Sequence, residues 1–105
     1  LESSPEYEKC VKYLGGRCCG VVSFDIKGGK DTAMRFMNSL RLAKIVVHVA
    51  DARTSVLHPA STTHRQLTDR QLEDAGIGPG LIRMSVGIEN IDDIISDIDQ
   101  ALIAI

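Results

Sequence analysis

Residues 80–102, GLIRMSVGIENIDDIISDIDQAL, decide the fold because they contain the clearest strand and the clearest helix of the chain. The side chains of residues 81–86 alternate between two faces, as in a β-strand. One face carries Leu81, Arg83 and Ser85. The other face is apolar and carries Ile82, Met84 and Val86. Residues 91–103 predict a helix, since their apolar side chains recur at three- and four-residue spacing. The predicted apolar stripe of this helix consists of Ile91, Ile94, Ile95, Ile98 and Leu102.

Outward from this stretch, short strands alternate with helices. A Ser-Pro start, a Gly-Gly stop and a T-x-x-Q capping box mark helix ends, and β-branched runs mark strands. The predicted helices are 3–14, 30–40 and 69–75, and the predicted strands are 20–26, 45–49 and 55–57. These elements predict an α/β (α+β) sandwich: a small, mostly antiparallel sheet of three to five strands with helices mainly on one face.

Composition restricts the chain to one globular domain. Its 105 residues are 44% hydrophobic and 25% charged, which excludes both intrinsic disorder and a membrane span. Twelve Lys and Arg against fourteen Asp and Glu give a net charge of -2, and no segment collects positive charge. We therefore expect no nucleic-acid partner and no membrane partner.

The cysteines and the N-terminus predict a cytoplasmic protein. Cys10, Cys18 and Cys19 are an odd number, and adjacent cysteines bridge only with strain, so reduced thiols are expected. The first ten residues lack the basic and apolar regions of a signal peptide. They also lack an initiator Met, which indicates a piece of a longer protein.

Arg83 is the strongest candidate for a functional side chain. It lies in a strand whose other members are apolar or small, with no acidic neighbour in sequence. Its planar guanidinium is suited to a carboxylate or phosphate, which it binds through two parallel hydrogen bonds. From the residues alone, an exposed position or a structural salt bridge remains the alternative.

The segment 58–66, HPASTTHRQ, is predicted to be a loop with two possible uses. Its hydroxyls and imidazoles could hold a carboxylate or orient a cofactor, or they could satisfy one another in a polar turn. No metal site is predicted, because His58 and His64 lie six residues apart in a loop without a further ligand motif. His48 is expected to be a core or edge residue of a strand, and Gly28-Gly29 a strand-to-helix turn.

Three segments together resemble one enzyme family. VVSFDIKGG at 21–29, HPASTTHRQLT at 58–68 and the stretch at 80–102 are similar, in order and spacing, to the C-terminal domain of the Cys/Met-metabolism pyridoxal-phosphate-dependent enzymes. The resemblance covers nearly the whole chain. Within the family, STTHRQLT at 61–68 is most similar to the loop of the O-acetylhomoserine sulfhydrylases.

The resemblance implies that residues 1–105 are a single substrate-recognition domain. The lysine that carries pyridoxal phosphate would belong to a large domain absent from this chain, so no catalytic, cofactor-binding or metal-binding residue is expected here. Arg83 matches the arginine for the substrate α-carboxylate, Thr63 matches a threonine near it, and His48 and Val49 lie in a segment whose backbone also meets the carboxylate. The family has Ser or Asn at position 48 and Gly at position 50, whereas this chain has His48 and Ala50, which leaves the substrate open.

The implied parent is a cytoplasmic homotetramer with transferase activity in methionine biosynthesis. It would replace the γ-substituent of an amino acid such as O-acetylhomoserine to form homocysteine or methionine, and this chain's partners would be that substrate and its own large domain. The alternative is a free-standing, non-catalytic α/β module that binds a small carboxylate or a protein partner.

Overall fold

In the computed structural model, which describes residues 2–105, two helices pack on one face of a four-stranded mixed sheet. The helices are α1 (Tyr7–Leu14), α2 (Gly29–Ser39), α3 (Asp69–Asp74) and α4 (Ile91–Ile103), and the strands are β1 (Val21–Asp25), β2 (Lys44–Ile45), β3 (Ser55–Leu57) and β4 (Leu81–Ser85). The strand order is β1-β4-β3-β2, with β4 antiparallel to both neighbours and β2 parallel to β3. The predicted fold class is confirmed.

The core lies between the sheet and α2 and α4. Ile82 and Met84 of β4 are buried, as the predicted alternation requires, and Phe36 of α2 is fully buried against them. Phe24 of β1 meets Phe36 edge to face, with ring centroids 5.9 Å apart. The other buried members of this cluster are Ile26, Ala33, Met37, Ala43, Val56 and Ala101.

The predicted apolar stripe of α4 is partly wrong. Ile94 is buried and Ile98 is half-buried, but the other three predicted members are exposed. The buried face runs through Ile94, Asp97 and Ala101, because α4 packs on α2 through one narrow face. Three of the stripe's five side chains, at 91, 95 and 102, therefore lie beside this face.

Asp97 occupies the buried face of α4 because it binds the connection between α2 and β2. Its carboxylate accepts hydrogen bonds from the backbone N–H groups of Arg41, Leu42 and Ala43 at 2.7, 3.0 and 2.9 Å. The Gln100 amide donates to the same carboxylate and to the carbonyl of Ser39. Burial raises the pKa of Asp97, but the three N–H groups and Gln100 lower it by more, so the pKa lies below its ordinary value.

The predicted strand at 45–49 is wrong after its first residue. β2 ends at Ile45, and only the N–H of Val46 continues the pairing, to the carbonyl of Val56. From Val47 onward the chain leaves the sheet, because its carbonyl groups accept hydrogen bonds from side chains instead of from a neighbouring strand. His48 is accordingly an exposed residue outside the sheet and not a strand residue.

Most predicted helix ends are confirmed. Thr68 and Gln71 form the expected capping box of α3, and Gly28, at φ 104°, caps α2 after β1. α1 begins later than predicted, at Tyr7, because Ser4 forms a turn instead: its hydroxyl accepts from the N–H of Glu6. Within residues 2–105 no helix is both long enough and apolar enough to cross a membrane.

Candidate functional site

The face of the sheet opposite α2 and α4 carries polar side chains among apolar ones. Side chains alternate along β4, so Arg83 and Ser85 lie on this open face while their neighbours enter the core. In the sheet register Ser85 pairs with Ser55 of β3, and Arg83 pairs with Leu57 of β3 and Ser23 of β1. The open face therefore carries a guanidinium and hydroxyls at the centre of the sheet.

Residues 46–50, which we call the crossing segment, lie against this face. The Nη2 of Arg83 donates to the carbonyl of Val47 at 2.9 Å. The hydroxyl of Ser55 donates to the carbonyl of His48 at 3.2 Å, and the N–H of Ala50 donates to the hydroxyl of Ser85 at 3.1 Å. The structure thus places the predicted residues His48 and Val49 in a segment that Arg83 contacts directly.

Arg83 has hydrogen-bonding capacity that the described residues leave unused. No Asp or Glu of residues 2–105 lies within 4.0 Å of its guanidinium. Its Nε is buried without a hydrogen-bond partner among the described residues. An unmet buried donor is unfavourable by about 1–3 kcal/mol, and an added acceptor removes that penalty. Within the described residues, the geometry therefore excludes the structural salt bridge.

Thr63 is not joined to Arg83 in this chain. It is exposed, and its hydroxyl lies 2.8 Å from the Nδ1 of His64. No hydrogen bond connects it to the crossing segment within residues 2–105. Its place beside a substrate carboxylate therefore stays a prediction.

The rest of the loop at 58–66 satisfies its own polar groups. His58 is fully buried, and its Nε2 lies 2.9 Å from the carbonyl of Pro79, so that nitrogen carries the hydrogen. Its Nδ1 lies 2.8 Å from the hydroxyl of Ser61, and the hydroxyl of Thr62 donates to the carbonyl of His58. This part of the loop includes a short 3-10 turn at Pro59–Ser61. Of the two predicted uses of the loop, its contacts are those of a polar turn whose groups satisfy one another.

Glu89 anchors the chain just after the crossing segment. Its carboxylate accepts from the N–H and the hydroxyl of the fully buried Thr54, at 2.6 and 2.8 Å. The hydrogen bond from the Thr54 N–H is the largest cause that lowers the pKa of Glu89. Gly87 also donates to Thr54, and a Cβ at Gly87 would collide with the carbonyl of Ala52, so only glycine permits this approach.

Arg83 lies outside two concavities that the described residues form. A cleft of about 920 Å³ lies between α3 and the turn after β1 and includes Lys30 and Arg65 but not Arg83. A second concavity of about 500 Å³ lies beside the exposed His48 and also excludes Arg83.

The sequence analysis missed Ser55 and the role of Ser85. Both are only 2% exposed, although each lies in a strand that is otherwise mainly apolar. A small hydroxyl residue at a position that should be apolar was the available signal, because a buried hydroxyl needs a partner. The crossing segment, which supplies that partner, was not predicted because its valines are typical of a strand.

The fold and the site define an α/β domain whose central arginine has no carboxylate partner among the described residues. Residues 1–103 match the family described as Cys/Met metabolism PLP-dependent enzyme, and the chain belongs to this family. The family resemblance found in the sequence is therefore confirmed, and with it the dependence of the family on pyridoxal phosphate.

Comparisons with individual proteins agree with this family membership. Over 97% of its length the chain is 43% identical to O-acetyl-L-homoserine sulfhydrylase of Leptospira meyeri and 48% identical to homocysteine synthase of Schizosaccharomyces pombe, covering 23% and 24% of those proteins. A solved structure of a putative O-acetylhomoserine (thiol)-lyase from Campylobacter jejuni, which contains a pyridoxyl-lysine phosphate, superposes with a TM-score of 0.87 at 36% identity, over 97% of this chain and 24% of that one. The chain thus spans about a quarter of the length of the curated relatives it matches.

Three of the five lysines of this chain lack the surroundings of a cofactor lysine within the described residues. Lys27, Lys30 and Lys44 are exposed, and the Nζ of Lys44 donates to the carbonyl of Arg41. A lysine that forms a Schiff base is desolvated or held beside another cation. No hydrogen bond within residues 2–105 joins these three lysines to Arg83 or to the crossing segment. We therefore assign no cofactor contact to them.

Proposed function

We propose that this chain is the C-terminal substrate-recognition domain of a larger pyridoxal-phosphate-dependent transferase, and that Arg83 binds the α-carboxylate of its amino-acid substrate. The observation that carries the proposal is the guanidinium of Arg83, which has no carboxylate partner within the described residues and a buried Nε without an acceptor. Family membership supports an amino acid as the source of the anion.

The contacts of Arg83 suit this role. The hydrogen bond to the carbonyl of Val47 uses one donor and fixes the plane of the guanidinium against the crossing segment. The remaining donors can bind both oxygens of a carboxylate in the bidentate manner that arginine favours. Pyridoxal phosphate, when bound in the parent, supplies the electron sink for the reaction. Arg83 contributes position, because a fixed carboxylate fixes the orientation of the substrate Cα–H bond.

The specific reaction we propose is γ-replacement on O-acetylhomoserine or a closely similar amino acid. It is supported by the similarity to proteins named O-acetyl-L-homoserine sulfhydrylase and homocysteine synthase. Thr63 and the backbone at His48 and Val49 would complete the carboxylate site together with the parent's large domain. The parent is proposed to be a cytoplasmic homotetramer.

Replacing Arg83 in the full-length parent tests the proposal. Arg83→Ala should lose about 2–5 kcal/mol of transition-state binding, a fall in kcat/KM of about 30-fold to several thousand-fold. Arg70, an exposed arginine of α3, provides the matched control: Arg70→Ala should change kcat/KM by less than about twofold. Formation of homocysteine from O-acetylhomoserine and sulfide is measured together with thermal melting.

The outcomes separate the proposal from the alternative. Loss of turnover with an unchanged melting temperature supports a carboxylate-binding arginine. Turnover within a few-fold of the unchanged parent, or unfolding on loss of the side chain, makes Arg83 a structural residue. A full-length protein that binds O-acetylhomoserine without converting it identifies the non-catalytic module instead.

A further inference from the structure

Ala50 has an unusual backbone conformation at the end of the crossing segment. Its φ is 58°, and it is the one non-glycine residue of 2–105 with a positive φ. Residues with a Cβ rarely adopt this left-handed region, because the Cβ approaches the following carbonyl oxygen. Some interaction in the structure must therefore hold residue 50 there.

The hydroxyl of Ser85 contacts the backbone of this residue. Ser85 accepts the hydrogen bond from the N–H of Ala50 at 3.1 Å. Ser85 is only 2% exposed and lies in β4 two residues after Arg83, on the same face of the sheet. The hydrogen bond is thus made by a side chain fixed in the central strand of the sheet.

A second buried serine acts on the same segment. Ser55 lies directly opposite Ser85 in the register, is also 2% exposed, and donates to the carbonyl of His48 at 3.2 Å. The two serines and Arg83 therefore bind three backbone groups of one five-residue segment, at positions 47, 48 and 50.

We propose that Ser85 is a positioning residue of the carboxylate site. By accepting from the N–H of Ala50 it keeps residue 50 left-handed, which holds the backbone of 47–49 against the guanidinium of Arg83; Ser55 assists at His48. This inference rests on the proposed function of Arg83. Its consequence is specific: the loss of Ser85 reduces affinity for the carboxylate and leaves the chemical step unchanged.

Binding of two probes by the full-length parent tests this. L-2-aminobutyrate carries the α-carboxylate and lacks a γ leaving group, whereas propylamine lacks the carboxylate. Ser85→Ala should raise the Kd of L-2-aminobutyrate about tenfold, as expected for one buried hydrogen bond, and that of propylamine less than about twofold. With O-acetylhomoserine, KM should rise while kcat stays within about twofold. Ser85→Thr, which keeps the hydroxyl, should restore affinity, and Ser96→Ala on the exposed side of α4 is the control.

A double-mutant cycle separates positioning from a general structural role. Glycine adopts the left-handed region without the steric penalty of a Cβ. In the Ala50→Gly background, Ser85→Ala should therefore cost about threefold in affinity and not tenfold. In Ser85→Ala, amide hydrogen exchange should accelerate in the peptide 46–52 and stay unchanged in the strands of the sheet.

The failures of the two proposals are distinguishable. If Arg83→Ala abolishes binding of L-2-aminobutyrate and Ser85→Ala leaves it unchanged, the positioning role is wrong and the carboxylate site stands. If Arg83→Ala has no effect, the proposed function itself is wrong. Full additivity of Ser85→Ala with Ala50→Gly also contradicts the inference. If Ser85→Ala does not fold, Ser55→Ala decides: weaker binding of L-2-aminobutyrate alone supports the role, and unchanged binding overturns it.

Discussion

The two faces of the sheet use the same strands for opposite purposes. On the face under α2 and α4, Ile82, Met84 and Val56 are almost completely buried among other apolar side chains. On the open face, Arg83 and Ser85 extend from the same strand as Ile82 and Met84 but bind the backbone of the crossing segment. Under the proposed function, stability and recognition are therefore separated by a single-residue alternation in β4.

This separation has a practical meaning for substitutions. Side chains on the helix-covered face contribute through burial, so their removal should lower the free energy of unfolding. Side chains on the open face contribute through directed hydrogen bonds, so their removal should lower ligand affinity more than stability.

The helix-covered face is tested most strongly by a neighbouring pair in α4. Ile94 is 3% exposed and Ile95 is 48% exposed. Ile94→Ala should lower the free energy of unfolding of this chain by about 2–5 kcal/mol, because it leaves a cavity in the core. Ile95→Ala should change it by less than about 0.5 kcal/mol. Denaturant unfolding of both variants checks this, and equal losses would place the whole predicted stripe of α4 in the core.

The open face is tested next by exchanging one cation for another. Arg83→Lys in the full-length parent should retain the positive charge but lose the planar fork, so kcat/KM should fall about 10- to 100-fold. The melting temperature should change little. Activity equal to that of the unchanged parent would show that charge alone, and not bidentate geometry, is what the site requires.

Asp97 connects the helices to the edge of the sheet and gives stability a pH dependence. Because its pKa is lowered in the folded chain, its contribution is complete above the ordinary carboxyl pKa of 3.8 and is lost as the pH falls through the lower folded value. Asp97→Asn should lower the free energy of unfolding by about 1–2 kcal/mol at pH 7, since the backbone N–H groups lose a charged acceptor. The free energies of unfolding of the variant and its parent should differ at pH 7 and converge as the pH falls well below 3.8. A constant difference would assign the loss to packing.

The smallest expected effect concerns Ser23, which lies beside Arg83 in the register but is exposed. Ser23→Ala should change the free energy of unfolding by less than about 0.5 kcal/mol and kcat/KM by less than about twofold. Parallel melting and kinetic measurements check both values. A clear loss of activity alone would extend the recognition surface from β4 onto β1.

Local signals in the sequence were sufficient for much of the fold. The alternation in β4, the capping box at Thr68 and the glycine turn at Gly28 depend on neighbouring residues, and the structure contains all three. Arg83 was found for the same reason, since a lone guanidinium in a short apolar strand is itself a local signal.

The remaining features depend on partners distant in sequence. Residues 46–49 have strand-like composition, yet the side chains of Arg83 and Ser55 bind the carbonyl groups at positions 47 and 48. The inward position of Asp97 is likewise set by N–H groups more than fifty positions earlier in the chain, a pairing with no periodic signature. Both features are set by tertiary contacts, and the periodicity of the sequence does not predict such contacts.

The central place of β4 has a consequence for synthesis. β4 is the last of the described strands to leave the ribosome, yet it lies between β1 and β3 and pairs with both. Until β4 emerges, β1 has no partner among the described strands. Pairing these two strands closes a long loop, the chain between β1 and β4, and closing a long loop slows folding. A nascent chain therefore completes its sheet only when β4 emerges, and a product that terminates before residue 81 lacks Arg83 and leaves β1 as an unpaired strand for quality control to recognise.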